Sequence, residues 1–309
     1  MKKIYYTLIA AIALAFASCS ESDDFNPYKD QSKRPFYPTT VTFDNLNNDG
    51  SQVEKKWTLA YNSDNSIKAY TYDYKVVTST KVEMKEQHMG ELSYHKDPST
   101  GNDVIKNVIT MTSQVTSLTS TESYSDKITE LVEISGGTIN KITTLGLRTY
   151  SNGEEETFST TRTFVYSNNF CIGSTLLDNS GTTTYKYSWG SGKLNSIAKY
   201  QQDNSNNITN EEYKYTYSNR DLATDYGFNT MAFIYGNMPE IYAAMNLFGV
   251  TSAYKLEGES YSGYRNFTGT SKPIAPVHRS YTILDNVNSV TYTADSQSSS
   301  IHKFTFSNN

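Results

Sequence analysis

Side chains able to do chemistry are few here, and their spacing suits none of the common catalytic arrangements. Four histidines, two cysteines and two tryptophans are set among 26 tyrosines in 309 residues. The acid clusters Glu154–Glu156 and Glu211–Glu212 have the composition of a glycosidase carboxylate pair. Both lie in polar stretches beside expected turns, where a carboxylate is ordinarily solvated. His88 and His95 stand seven residues apart in "HMGELSYH". On a strand that odd separation puts them on opposite faces, so they do not share a zinc ion. "NLNNDG" (Asn45 to Gly50) has the first half of a calcium loop, but Lys56 holds the position of the bidentate acid, and a hairpin turn is expected instead. "WGSGKL" lacks the upstream glycine and the Ser/Thr after Lys193 that a phosphate cradle needs. No G-x-S-x-G motif occurs. No catalytic residue, metal or cofactor is therefore expected, and the chain reads as a non-enzyme. Binding remains: Trp57, Trp189, Tyr226 and Tyr235 are candidates for stacking on flat apolar partners such as sugar faces, packing in a core being the plainer role of each.

The one reactive group with an informative setting is Cys19, in "LAFASCSESDD" (Leu14 to Asp24). Lys2 and Lys3 precede an apolar run from Ile4 to Phe16, and the small residues Ala17 and Ser18 lead into the thiol. That order is a secretory signal, shorter than the ~20 residues of a membrane span. Small-small-Cys resembles the lipobox of bacterial lipoproteins, with Phe16 where the pattern prefers Leu. The resemblance implies removal of residues 1–18 and acylation of Cys19. Ser20, Glu21, Ser22, Asp23 and Asp24 resemble the export signal that carries Bacteroidetes lipoproteins to the outer face of the outer membrane, although such acids are also ordinary in a solvated spacer facing the periplasm. With Cys19 acylated, Cys171 is left unpaired; in "NNFCIGS" it reads as a small buried hydrophobe.

These features need a scaffold. Removing Lys2 and Lys3 makes the formal charge of −5 more negative by two. An acidic balance without a basic stripe excludes a nucleic-acid partner and disfavours contact with anionic headgroups, leaving the lipid as the only membrane attachment. Residues 19–38 read as an acidic tether, and residues 39–309 as one antiparallel β domain. Period-two alternation dominates. "YTYDY" (Tyr70 to Tyr74), "YKYSW" (Tyr185 to Trp189) and "YKYTY" (Tyr213 to Tyr217) each put aromatic rings on one face and Thr, Asp, Lys or Ser on the other. A looser unit recurs, an aromatic or apolar strand end, a Gly/Ser/Asn turn, then apolar residues three apart. It begins at Ile134, Tyr166, Trp189 and Tyr217, with "YSWGSGKLNSIAKY" (Tyr187 to Tyr200) its clearest copy. The wandering spacing argues for a long meander of hairpins, not a strict solenoid.

One segment breaks the pattern. "NMPEIYAAMNLFG" (Asn237 to Gly249) has Pro239 near a helix start, Gly249 where a helix would stop, and Ile241, Ala244, Met245 and Phe248 at helical spacing. A short helix near 238–248 is expected, in an apolar insertion (223–249) that packs on the sheet or plugs its open end.

Taken together, the lipobox, the acidic tail and the tyrosine-rich hairpins resemble a family of Bacteroidetes lipoproteins of unknown function with a porin-like fold. "WGSGKLNSI" is also similar to the tyrosine-aspartate repeats of bacterial shell-forming and toxin-delivery proteins, with Ser in place of Asp in "YSN" and "YSW". The resemblance implies an all-β fold, one large antiparallel sheet, curled or barrel-like, and no activity. Asp73, Lys186 and Lys214 opposite the aromatic face are incompatible with a lipid-facing band, since a charge at mid-depth costs about 2–4 kcal/mol. The expected role is a surface-tethered, non-catalytic binding module with a glycan or surface protein as partner. A structural or envelope-maintenance lipoprotein, serving as scaffold or lipid carrier, is the alternative, and a glycan- or peptide-directed hydrolase the third.

Overall fold

The computed structural model describes residues 39–46, 51–64, 66–117, 120–221, 240–245, 247–248, 254–267, 270–286, 289–295 and 301–307. Among them are strands β1 (Thr40–Leu46), β2 (Gln52–Tyr61), β3 (Ile67–Val77), β4 (Glu83–Lys96), β5 (Asp103–Thr116), β6 (Thr121–Ser135), β7 (Thr138–Tyr150) and β8 (Glu155–Ser167). There follow β9 (Phe170–Asp178), β10 (Gly181–Gly190), β11 (Lys193–Asp203), β12 (Ile208–Asp221), β13 (Tyr254–Phe267), β14 (Thr270–Asn286), β15 (Ser289–Asp295) and β16 (Ile301–Ser307). Helix α1 (Glu240–Ala244) lies between β12 and β13. Each strand pairs antiparallel with the next, and β16 returns to β1 with Val41 opposite Phe306, which closes the sheet into a barrel. The expected meander is present; its edges, the usual liability of such a sheet, are removed by closure.

The pleat assigns every residue a side. Tyr70 and Tyr72 are buried and Tyr74 half-buried inside the barrel, while Asp73 between them is exposed. Tyr187 and Tyr215 are likewise buried, with Lys186 and Lys214 exposed outside. The aromatic ladders thus line the interior. Tyr72 stacks on Trp57 across the β2–β3 pair, with ring centroids 4.3 Å apart.

Thr40 pairs with Ser307, so the sheet begins and ends at one rim, called here the terminal rim. The β2–β3, β4–β5, β6–β7, β8–β9, β10–β11, β12–β13 and β14–β15 junctions also lie there. The remaining hairpins form the far rim. Turns between β6 and β7 (Gly136, Gly137), β8 and β9 (Asn168, Asn169) and β10 and β11 (Ser191, Gly192) have positive φ at both central residues, the two-residue turn that matches strand twist. Just inside the terminal rim the ladder slips by one residue, at Ala60/Tyr61, Glu133/Ile134, Val165/Tyr166, Ser188/Trp189 and Thr216/Tyr217. Four of these bulges fall at the start points of the recurring sequence unit. The skipped residues are Lys68, Asn140, Ile172, Asn195 and Glu257. Skipping one residue lets side chains three apart face the same way, which is why Ile139 and Ile142, or Leu194 and Ile197, are all buried.

A sixteen-stranded barrel is wide enough to leave an aqueous channel. Here the described residues of the β12–β13 insertion, 240–245 and 247–248, fill part of it. Ile241, Tyr242, Met245, Leu247 and Phe248 are all at most 5% exposed. The helix is shorter than expected and buried on more than the one face its spacing implied, because it is surrounded by barrel wall. Polar contacts hold it: Glu240 pairs with Lys55 on β2, the Tyr242 hydroxyl donates to Glu130 on β6 and accepts from Asn107 on β5, and the Ile139 amide on β7 donates to the Leu247 carbonyl at 2.9 Å.

Candidate functional site

The apolar core gathers at the terminal rim around the plug. Toward the far rim the inward positions turn polar, and a cavity of about 950 Å³ lies against β1 to β7. Lys55, Tyr74, Glu86, Ser113, Tyr124 and Tyr150 line it. They share the inward face by register: Lys55 lies opposite Tyr74, Tyr74 opposite Glu86, Glu86 opposite Ser113, Ser113 opposite Tyr124 and Tyr124 opposite Tyr150. Six strands therefore contribute one side chain each to a single ring near the far rim.

Charge along this ring is matched locally. Lys55 is paired with Glu240 of the plug, which also accepts the Trp57 indole N–H at 3.0 Å. Glu86 lies 3.4 Å from His88 Nε2. Beneath Tyr124, Arg148 makes a two-pronged contact with Asp126, Nε to Oδ1 at 2.9 Å and the second nitrogen to Oδ2 at 2.8 Å. That contact, with the arginine stacked 3.9 Å from the Tyr124 ring centroid, keeps the guanidinium protonated and shifts its pKa upward. The Ser113 hydroxyl, on a residue 3% exposed, has no hydrogen-bond partner.

Deeper in the barrel, Asn107 donates to Tyr70, Glu130 and Tyr242 at 3.0–3.1 Å. Removal from water pushes the Glu130 carboxyl above the usual carboxylate range, against the donors that favour its ionised form. Tyr242 is shifted upward by the same burial and by the charge of Glu130. A second polar cluster joins Lys199, Glu211, Tyr213 and Tyr261, with Glu211 accepting from the other three at 3.1–3.3 Å. Glu211 was expected to be solvated; at 7% exposure it is not, because the β12 register turns it inward beside Lys199. Glu212 faces outward to Lys214, and Glu154, Glu155 and Glu156 are exposed. The two acid clusters are not brought together as a catalytic pair. His88 faces inward, while His95, bonded to Ser93, faces outward.

Trp57 does not offer a surface for stacking. It is 7% exposed, packed on Tyr72 and bonded to the plug, because its position on β2 faces the core. Trp189 is half-buried at the terminal rim, its N–H donated to the Cys171 carbonyl at 2.7 Å and its ring 5.1 Å from Phe170. Neither lines the cavity. Cys171 is fully buried with a free thiol, which burial pushes up to about 11. Tyr226, Tyr235, Cys19, Ser20, Glu21, Ser22, Asp23 and Asp24 lie outside the described residues, as do the signal segment, the whole 19–38 tether, residues 223–239 of the expected insertion and the 45–50 turn beyond Leu46. The cavity ring itself was missed. Tyr74 belongs to a recognised ladder, but Ser113, Tyr124 and Tyr150 meet only through pairing of strands whose register no local motif encodes.

Among solved structures, the chain is similar to a porin-like protein from Bacteroides vulgatus ATCC 8482, with a TM-score of 0.54 and 12% identity over 89% of this chain and 99% of that one. The fold is porin-like. A second porin-like protein, from Bacteroides uniformis ATCC 8492, gives a TM-score of 0.49 at 12% identity over 88% of this chain and 99% of that one. Neither a family model nor a curated protein matches the chain. The porin-like architecture implied by the sequence resemblance is thus present, and it is filled from inside: apolar and aromatic side chains face the lumen together with a set of mostly paired charges, and the exposed charges face out.

Proposed function

We propose that this chain is an outer-membrane lipoprotein, held by an acylated Cys19, whose barrel stands in water as a non-catalytic binding module. The observation that carries the reading is the polarity of the wall. Lys56, Asp73, Lys85, Glu91, Lys127, Lys186 and Lys214 are exposed on strands distributed around the barrel. In a lipid-facing band each would cost about 2–4 kcal/mol at mid-depth. The plug, latched to β2, β5, β6 and β7, supports binding over conduction. Paired charges at the cavity support it over hydrolysis, which needs a carboxylate free to act. Acylation of Cys19 and surface display through Ser20–Asp24 rest on the sequence pattern. The alternative of an envelope scaffold makes no use of the cavity.

Because β1 starts at the terminal rim, an anchor on the preceding segment brings the plugged end toward the membrane and turns the cavity away from it. Reconstitution of the purified full chain in planar bilayers tests the central point. No stepwise conductance is expected, and discrete channel openings would refute the reading. Palmitate labelling of the wild-type chain, absent in Cys19→Ser, tests the anchor.

A further inference from the structure

Resting on that reading, we infer that the far-rim cavity takes a short oligosaccharide of neutral sugars. Three observations converge on this chemistry. Inward-facing groups at the cavity wall have partners within the protein: Lys55 pairs with Glu240, Arg148 with Asp126 just below, and Glu86 lies 3.4 Å from His88 Nε2. A charged ligand reaching the inward face would have to break the Lys55 or Arg148 pair to find its counter-ion. None of the nineteen lining residues is aliphatic, and their apolar surface comes from the rings of Tyr74, Tyr124 and Tyr150 and the stems of longer polar side chains. An acyl chain or sterol would strip water from the hydroxyls and amides of this wall and return no hydrogen bonds. Finally, the Ser113 hydroxyl is buried on the wall with both its donor and its acceptor unused.

A sugar supplies what each of these lacks. Its C–H face packs on a tyrosine ring, its hydroxyls donate to and accept from Ser113, and it carries no charge. The volume of about 950 Å³ is at the upper end for small-molecule sites, enough for several sugar units. The described turns of the far rim beside it, 78–82 and 151–154, are short. This site is distinct from Trp57 and Trp189.

Isothermal titration of the purified chain with cellotetraose, maltotetraose, xylotetraose and mannotetraose, alongside tetragalacturonate and myristate, tests the assignment. At least one neutral tetrasaccharide is expected to bind. Ser113→Ala should weaken that binding about tenfold, the effect of one lost hydrogen bond, and Tyr74→Leu should weaken it further. Trp189→Phe, at the opposite rim, should leave affinity unchanged. Thermal melting confirms that each variant is folded. Binding of only tetragalacturonate or only myristate, of no ligand in the panel, or equal affinity in the folded Ser113→Ala and Tyr74→Leu variants would overturn the assignment. In those cases an anchored, non-conducting barrel still stands and only its ligand class falls, whereas channel openings in the bilayer experiment bring down both.

Discussion

Arg148 and Lys141 sit on the same strand and pair with acids of the neighbouring one, yet they differ in what their loss costs. Asp126, partner of Arg148, is 1% exposed, and removing the guanidinium strands its charge away from water. Glu133, partner of Lys141, has a side chain 44% exposed and is readily hydrated. Arg148→Ala is therefore expected to lower the unfolding free energy by about 3–5 kcal/mol, and Lys141→Ala by less than about 1 kcal/mol, in urea titrations. Glu130 gives a pH signature. Its folded pKa lies above its unfolded one, so the native state holds the extra proton. That contribution is complete below the ordinary carboxylate range and is lost as pH rises through the raised folded value. Glu130→Gln keeps an acceptor for Tyr242 and Asn107 and cannot ionise. Urea midpoints of the wild type should fall relative to the variant as pH moves from acid to neutral; parallel curves would mean that Glu130 is not perturbed.

Strand pairs explain which parts of the molecule could be read from the chain and which could not. Alternation of Tyr with Thr, Lys or Asp is a local property, so the ladders, their buried face and the charged exterior follow from the residues alone. The bulges were half legible. Apolar residues three apart in "KLNSI" and "TINKI" break period two, and a skipped residue on a strand is the physical reason; the turn unit pointed to the place and not to the cause. Cross-strand partners were not legible, since nothing local fixes which residue meets Gly90. There the structure places the Tyr70 ring, 2.2 Å from where a Cβ on Gly90 would stand. Phe158 covers Gly146 in the same way, at 2.1 Å. An aromatic ring lying over a glycine on the next strand packs tightly and fixes register. Gly90→Ala must displace Tyr70 from Asn107, and a loss of roughly 1–3 kcal/mol is expected. A double-mutant cycle with Tyr70→Ala should recover much of it; additive losses would show that the ring is not what constrains this position.

At the scale of the whole barrel, the two rims divide the labour. Bulges and the inserted plug accompany the apolar burial at the terminal rim, and the far rim has polar inward positions with space between them. This asymmetry is built into the strands, which are bulged and apolar inside at one end and polar inside at the other, and the described residues among 240–248 of the β12–β13 insertion fill the apolar end. It also gives the barrel a direction. Under the proposed acylation of Cys19, the lipid would approach the plugged rim, since β1 leaves from there. Single cysteines placed in a Cys171→Ser background measure that orientation. Thr100→Cys lies in the β4–β5 turn of the terminal rim, and Asn179→Cys in the β9–β10 turn of the far rim, both exposed. With a fluorophore on each and headgroup-labelled quencher lipids in vesicles carrying the acylated chain, position 100 should be quenched more strongly than position 179. Equal quenching would mean that the barrel tumbles freely on its tether, and the reverse order that the cavity faces the membrane, which would tie the site to a lipid-borne ligand instead of one arriving from solution.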